Sequence, residues 1–167
     1  MSMLIPGLAL WSGAHLFKRI APNMRAKLGE PGKGLVAVLL LASMIMMVTG
    51  YRNWDNAIFL WGRHPATVGI NNLLMFLSVY MFAAFGMKTA LARRMRHPML
   101  GAVKVWALAH LLVNGDLASI LLFGGLLLWA VAEMIAINRS EPDWVRPEPA
   151  PSRQEMIAIG GSFVVYA

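Results

Sequence analysis

Four histidines, thirteen methionines and no cysteine confine any iron or zinc chemistry in this chain to imidazole, thioether and carboxylate ligands. Disulfides, thiolate catalysis, iron–sulfur clusters and thiolate-ligated haem are excluded. Three of the histidines, His15, His97 and His110, fall inside or at the ends of long apolar runs. Ionisable groups are expensive at membrane depth, so each is a candidate site residue. Taken singly, each is more simply read as bonding to a carbonyl or hydroxyl across a helix interface, worth about 1 kcal/mol.

Depth sorts the three. His15 lies three residues before Lys18, and His97 opens a later apolar run from the same side. The two can face each other across one leaflet, the arrangement a six-coordinate bis-histidine haem requires, so His15 and His97 are the metal-ligating pair that depth favours. His110 is thirteen residues beyond His97, about 20 Å deeper and nearly on the opposite helix face. It shares its own face with Asn114, and the two end near Asp116. His110, Asn114 and Asp116 therefore form a candidate polar pocket, although Asn114-Gly115-Asp116 is also ordinary turn chemistry. The methionines, with Met44, Met46 and Met47 clustered, read as packing.

The elements that position these residues are transmembrane helices. Hydrophobic residues make up 58% of the 167 residues, charged residues 14%, and the mean hydropathy is +0.59. A chain so poor in charge cannot cover a globule in water, and its solvent is a lipid bilayer. The fold class that follows is all-α, a polytopic bundle of five or six spans forming a single domain over residues 1–167. The expected spans are Met3 to Phe17, Gly34 to Thr49, Gly69 to Met87, and two from Pro98 to Ile137. These last two are separated by a tight turn at Asn114-Gly115-Asp116. Ala57 to Trp61 is too short to cross and reads as an interfacial stretch. Met156 to Ala167 stops after twelve residues and reads as a sixth span cut short.

Charge orients the spans. The formal charge of +7 does not form a basic face for nucleic acid, because the Lys and Arg residues flank the apolar runs. Basic loops around Arg25, Arg94 and Arg146 are expected in the cytoplasm, with the N-terminus and the loops around Trp54 and Gly115 outside. Lys104 and Glu133 are expected to reach water from the cytoplasmic ends of their spans. There is no zinc-protease motif, phosphate loop, nucleophile elbow or dinucleotide fingerprint.

Arg96-His97-Pro98, Gly101, Trp106-Ala107-Leu108-Ala109-His110, Asn114-Gly115-Asp116-Leu117-Ala118-Ser119 and Leu122-Phe123-Gly124 together resemble the signature of the NnrU family of bacterial inner-membrane proteins. His15 in the first span, the basic loop after it and Gly50-Tyr51-Arg52 are similar to the family pattern as well, so the likeness covers nearly the whole chain. The family is named for genes near nitrite and nitric oxide reduction clusters, which implies a role in denitrification. The plant and cyanobacterial 15-cis-zeta-carotene isomerases form a related branch, similar in the first-span His and the Arg-His-Pro to Ala-His run, and bind haem b through histidines. The resemblance thus implies haem b on His15 with either His97 or His110. It also implies a hydrophobic small-molecule substrate if the chain is an isomerase, or a membrane-complex partner if it is a scaffold. Asn114-Gly115-Asp116 departs from the isomerase pattern and sets this chain apart from that branch.

Overall fold

The computed structural model describes residues 3–55, 58–148 and 151–166. Ala57, Pro149, Ala150 and Ala167, which belong to expected loop and terminal segments, lie outside the described residues. Among the described residues eight helices follow in order: α1 (Leu4–Ile20), α2 (Pro22–Lys27), α3 (Pro31–Arg52), α4 (Pro65–Met87), α5 (Ala90–Arg94), α6 (Pro98–Val113), α7 (Leu117–Ser140) and α8 (Ser152–Tyr166). Helices α1, α3, α4, α6 and α7 match the five expected spans. Of these, α3, α4 and α7 are long and apolar enough to cross a membrane, and α6 is a shorter apolar helix. The protein is an all-α polytopic bundle, as its composition requires.

Proline sets most of the helix starts. Pro22, Pro31, Pro65 and Pro98 stand in the first turns of α2, α3, α4 and α6, where the missing N–H costs nothing and the fixed φ suits the helix. The repeated Arg-His-Pro tripeptide is such a start signal in both places, with His64 and His97 as N-caps. At α4 the Ala66 N–H donates to His64 Nδ1 over 3.3 Å, and the His64 N–H donates to Thr67 Oγ1 over 3.1 Å. Lys88 stops α4 in the left-handed region at φ 52°.

The helices pack in the row α3, α1, α7, α6, α4, α8, with α3 also touching α7. Close approach within the row depends on small residues. A side chain at Gly50 would lie 2.3 Å from the Leu4 backbone nitrogen, so glycine there lets α3 meet the start of α1. Across α4 and α6, the buried Ser78 hydroxyl donates to the Ala102 carbonyl over 2.9 Å. Phe76 meets Phe163 of α8 at 4.6 Å between ring centroids. Glu155 of α8 accepts from the Tyr80 hydroxyl, and from the Ala90 N–H over 2.9 Å.

Two connections are tied down by contacts distant in sequence. The stretch expected at the interface is clipped onto the α6–α7 turn: Leu60 N–H donates to the Gly115 carbonyl over 2.8 Å, and Leu117 N–H to the Ile58 carbonyl over 3.0 Å. The reason is geometric, since the turn leaves backbone groups free that a short extended segment can satisfy. At the other end, which holds the basic loops, arginines bind the chain after α7. Arg96 donates to the carbonyls of Glu141 and Pro142, and Arg93 to that of Pro147.

Candidate functional site

His15 is held in an aromatic box between α1 and α7. Its ring centroid is 4.4 Å from that of Trp11, one turn earlier on α1, and 4.6 Å from that of Trp129 on α7; the two indoles meet edge-on at 5.3 Å. His15 Nδ1 donates to the Trp11 carbonyl over 3.0 Å. That bond places the proton on Nδ1 and leaves the lone pair on Nε2, the state in which an imidazole binds metal. Trp129 is buried, and the indole N–H groups of both Trp11 and Trp129 are buried without a hydrogen-bond partner.

His110 belongs to a second aromatic set on α6 and α7. Its ring stacks on Phe123 at 4.3 Å with an interplanar angle of 3°, and Trp106 meets it edge-on at 5.0 Å. Asn114 stops α6: its Nδ2 donates to the His110 carbonyl over 3.0 Å and stands 3.5 Å from His110 Nδ1.

Both histidines line one cavity of about 710 Å³. Its floor is α1 and α7, and its sides are Met44, Met47 and Val48 of α3 and Met99, Leu100 and Val103 of α6. Trp129 and Phe123, the contacts of the two histidines, are six residues apart on α7, which separates the rings by about 9 Å along the axis. A second cavity of about 540 Å³ lies against the first, sharing Tyr51, His110 and Phe123. Its lining is mixed, with Arg63, Asn71, Asn72 and Asn114 beside Val68, Met75 and Val113, and so is more polar than that of the first.

The structure brings His15 together with His110 in this cavity, and His97 elsewhere. His97 Nε2 lies 2.8 Å from Asn138 Oδ1 at the exposed end of α7, and His97 lines neither cavity. The physical reason is the depth of α1. Arg19 Nε stands 3.7 Å from Glu133 Oε1, two turns inside the end of α7, while Arg19 Nη1 donates to Glu141 Oε1 over 2.8 Å. Helix α1 is therefore sunk into the bundle, and His15, one turn further in, reaches the middle of α7. For the same reason Glu133 does not reach water; it is buried beside Arg19.

Asp116 also leaves the pocket assigned to it. It is the N-cap of α7, accepting from the Ser119 N–H over 2.8 Å and from the Ser119 hydroxyl over 2.6 Å. Tyr51 completes this chain, its hydroxyl 2.8 Å from Ser119 Oγ. His110 and Asn114 remain together in the polar cavity. Sequence reasoning missed Trp11, Trp129, Phe123 and the Arg19–Glu133 pair. The available signal was spacing, since Trp11-His15-Arg19 and Trp129-Glu133 each recur every four residues and line one helix face.

Among the described residues, no group of three or more His, Asp or Glu side chains could hold a bare metal ion. Two imidazoles in a thiol-free, aromatic-walled cavity of this size fit the donor set and apolar surroundings of haem b. No curated protein and no solved structure matches the chain. The family model described as NnrU protein matches residues 3–167, and the chain belongs to the NnrU family.

Proposed function

We propose that this membrane protein binds haem b in the larger cavity, where His15 and His110 would hold the group through their imidazole nitrogens. On this reading it serves the nitrite and nitric oxide metabolism for which its family is named. The observation that carries the proposal is the convergence of His15 and His110 on one aromatic cavity, with His15 Nδ1 tied to a carbonyl and Nε2 free. Bound there, haem b supplies a redox-active iron whose ligation sets whether it passes electrons or takes up a small ligand. The protein's part is positional. Trp11 and Trp129 keep the His15 ring in place, Phe123 holds the His110 ring by stacking on it, and the other walls are apolar.

The experiment is the visible spectrum of detergent-purified protein after expression with haem precursor. The expected result is a Soret band with the low-spin features of bis-histidine ligation. His15→Ala removes the band, His110→Ala converts it to a high-spin, five-coordinate form, and His97→Ala and His64→Ala leave it unchanged. Loss of the band on His97→Ala with retention on His110→Ala overturns the assignment. Absence of haem from the wild type leaves a scaffold in which the histidines only pack.

A second reading, a haem-dependent isomerase of a polyene-like lipid, is favoured by the methionine and leucine walls of the same cavity. Conversion of a supplied cis-polyene by the reduced, haem-loaded protein supports it; turnover that persists in His15→Ala excludes it.

A further inference from the structure

The two cavities that meet at Tyr51, His110 and Phe123 are unequal in charge chemistry. Between them they are lined by two arginines, Arg52 on the apolar side and Arg63 on the polar side, and by no aspartate or glutamate. Both arginines are exposed at the hairpin end of the bundle. Neither has an acidic partner among the described residues. At the basic end Arg19 is paired with Glu141 and Glu133, while Arg93 and Arg96 are occupied by backbone carbonyls. Asn71, Asn72 and Asn114 add amides to the polar cavity, and Asn71 Oδ1 is buried there without a partner.

A guanidinium that faces a cavity with no acid in its wall attracts an anion, and its planar fork matches a carboxylate. The larger cavity, walled by methionine, leucine, valine and aromatic rings, accepts only an apolar body. One ligand satisfies both halves. We propose that Arg52 and Arg63 are carboxylate-binding residues for an amphipathic carboxylic acid whose apolar body fills the larger cavity and whose acidic end rests at the junction with the polar one. For haem b the carboxylates are its two propionates, and in that form the inference rests on the haem reading above. A free long-chain fatty acid presents the same chemistry.

The test uses the full chain in detergent and four probes: hemin, hemin dimethyl ester, oleic acid and methyl oleate. Absorbance reports the porphyrins, and quenching of tryptophan fluorescence reports the lipids. The wild type is expected to prefer a free acid over its ester by about tenfold, the size of a charge-assisted hydrogen bond. The double variant Arg52→Gln with Arg63→Gln loses that preference while its ester affinity and melting temperature stay unchanged, because both side chains are exposed. Preference for hemin over its dimethyl ester assigns the site to propionates. Preference for oleic acid with no hemin bound sinks the haem reading and leaves the carboxylate site standing. Equal binding of acid and ester, a preference that survives in the double variant, or no binding of either acid overturns the inference.

Discussion

Helix α7 is fastened in two different ways along its length. At its hairpin end nearly every polar group is satisfied: Asp116 caps the helix through Ser119, Tyr51 reaches Ser119, and the 58–60 strip bonds both sides of the turn. In its inner half α7 meets α1 through two tryptophans, a histidine and one long ion pair, and Trp11 Nε1, Trp129 Nε1 and Glu133 Oε2 have no partner. A satisfied network stabilises a fold, whereas buried polar atoms left open cost free energy unless something else meets them. The difference leaves the hairpin end of α7 closed by its own hydrogen bonds and its inner half with polar atoms still open.

The largest effect that would break this comparison is expected at Gly115. A Cβ there would lie 2.3 Å from the Trp61 carbonyl oxygen and 2.5 Å from its indole, so the glycine is required by close approach and not by a left-handed backbone. Gly115→Val should destabilise the protein by about 3 kcal/mol, the upper range for overpacking. Because the nearest atom is backbone, Trp61→Ala should not rescue it. An unchanged melting temperature would deny the tip its structural role.

A smaller loss is expected from Arg19→Leu, about 2 kcal/mol. The variant strands the Glu133 carboxylate in the bundle, and removing one partner of a buried pair costs about 3 to 5 kcal/mol where the contact is close. Here the separation is 3.7 Å, so a loss below that range is expected. Glu133→Gln should cost less, because Arg19 keeps Glu141 at 2.8 Å. If the two variants melt alike, the depth of α1 is not set by this pair. Asp116→Ala should have the smallest effect, about 1 kcal/mol, as the loss of an N-cap, and Asp116→Asn less still. Thermal melts at matched detergent concentration would show the order, and an Asp116→Ala loss exceeding that of Gly115→Val would reverse it.

Much of the fold was legible in local residue chemistry. Apolar runs bounded by Arg, Lys and Pro marked the helices to within a few residues, and Asn114-Gly115-Asp116 marked the turn. The pairing of the 58–60 strip with the turn was not legible, because its hydrogen-bond partner lies more than fifty residues away, at Gly115. His110 and Asn114 were correctly joined, being four residues apart on one face. Asp116 was not, because a carboxylate beside a helix start can turn either to a cavity or back to its own N-terminus.

By itself the sequence determined that this chain is a membrane bundle of the NnrU family, where its helices begin and turn, and which histidines lie in or beside apolar runs. It could not determine which of them meet. Hydropathy reports how far a residue lies from the end of its own helix, but not how deep that helix sits against its neighbours. That register was decided by contacts distant in sequence, Gly50 against Leu4 and Arg19 against Glu133. They sink α1 until His15 stands beside Trp129, and so give His15 the cavity it shares with His110.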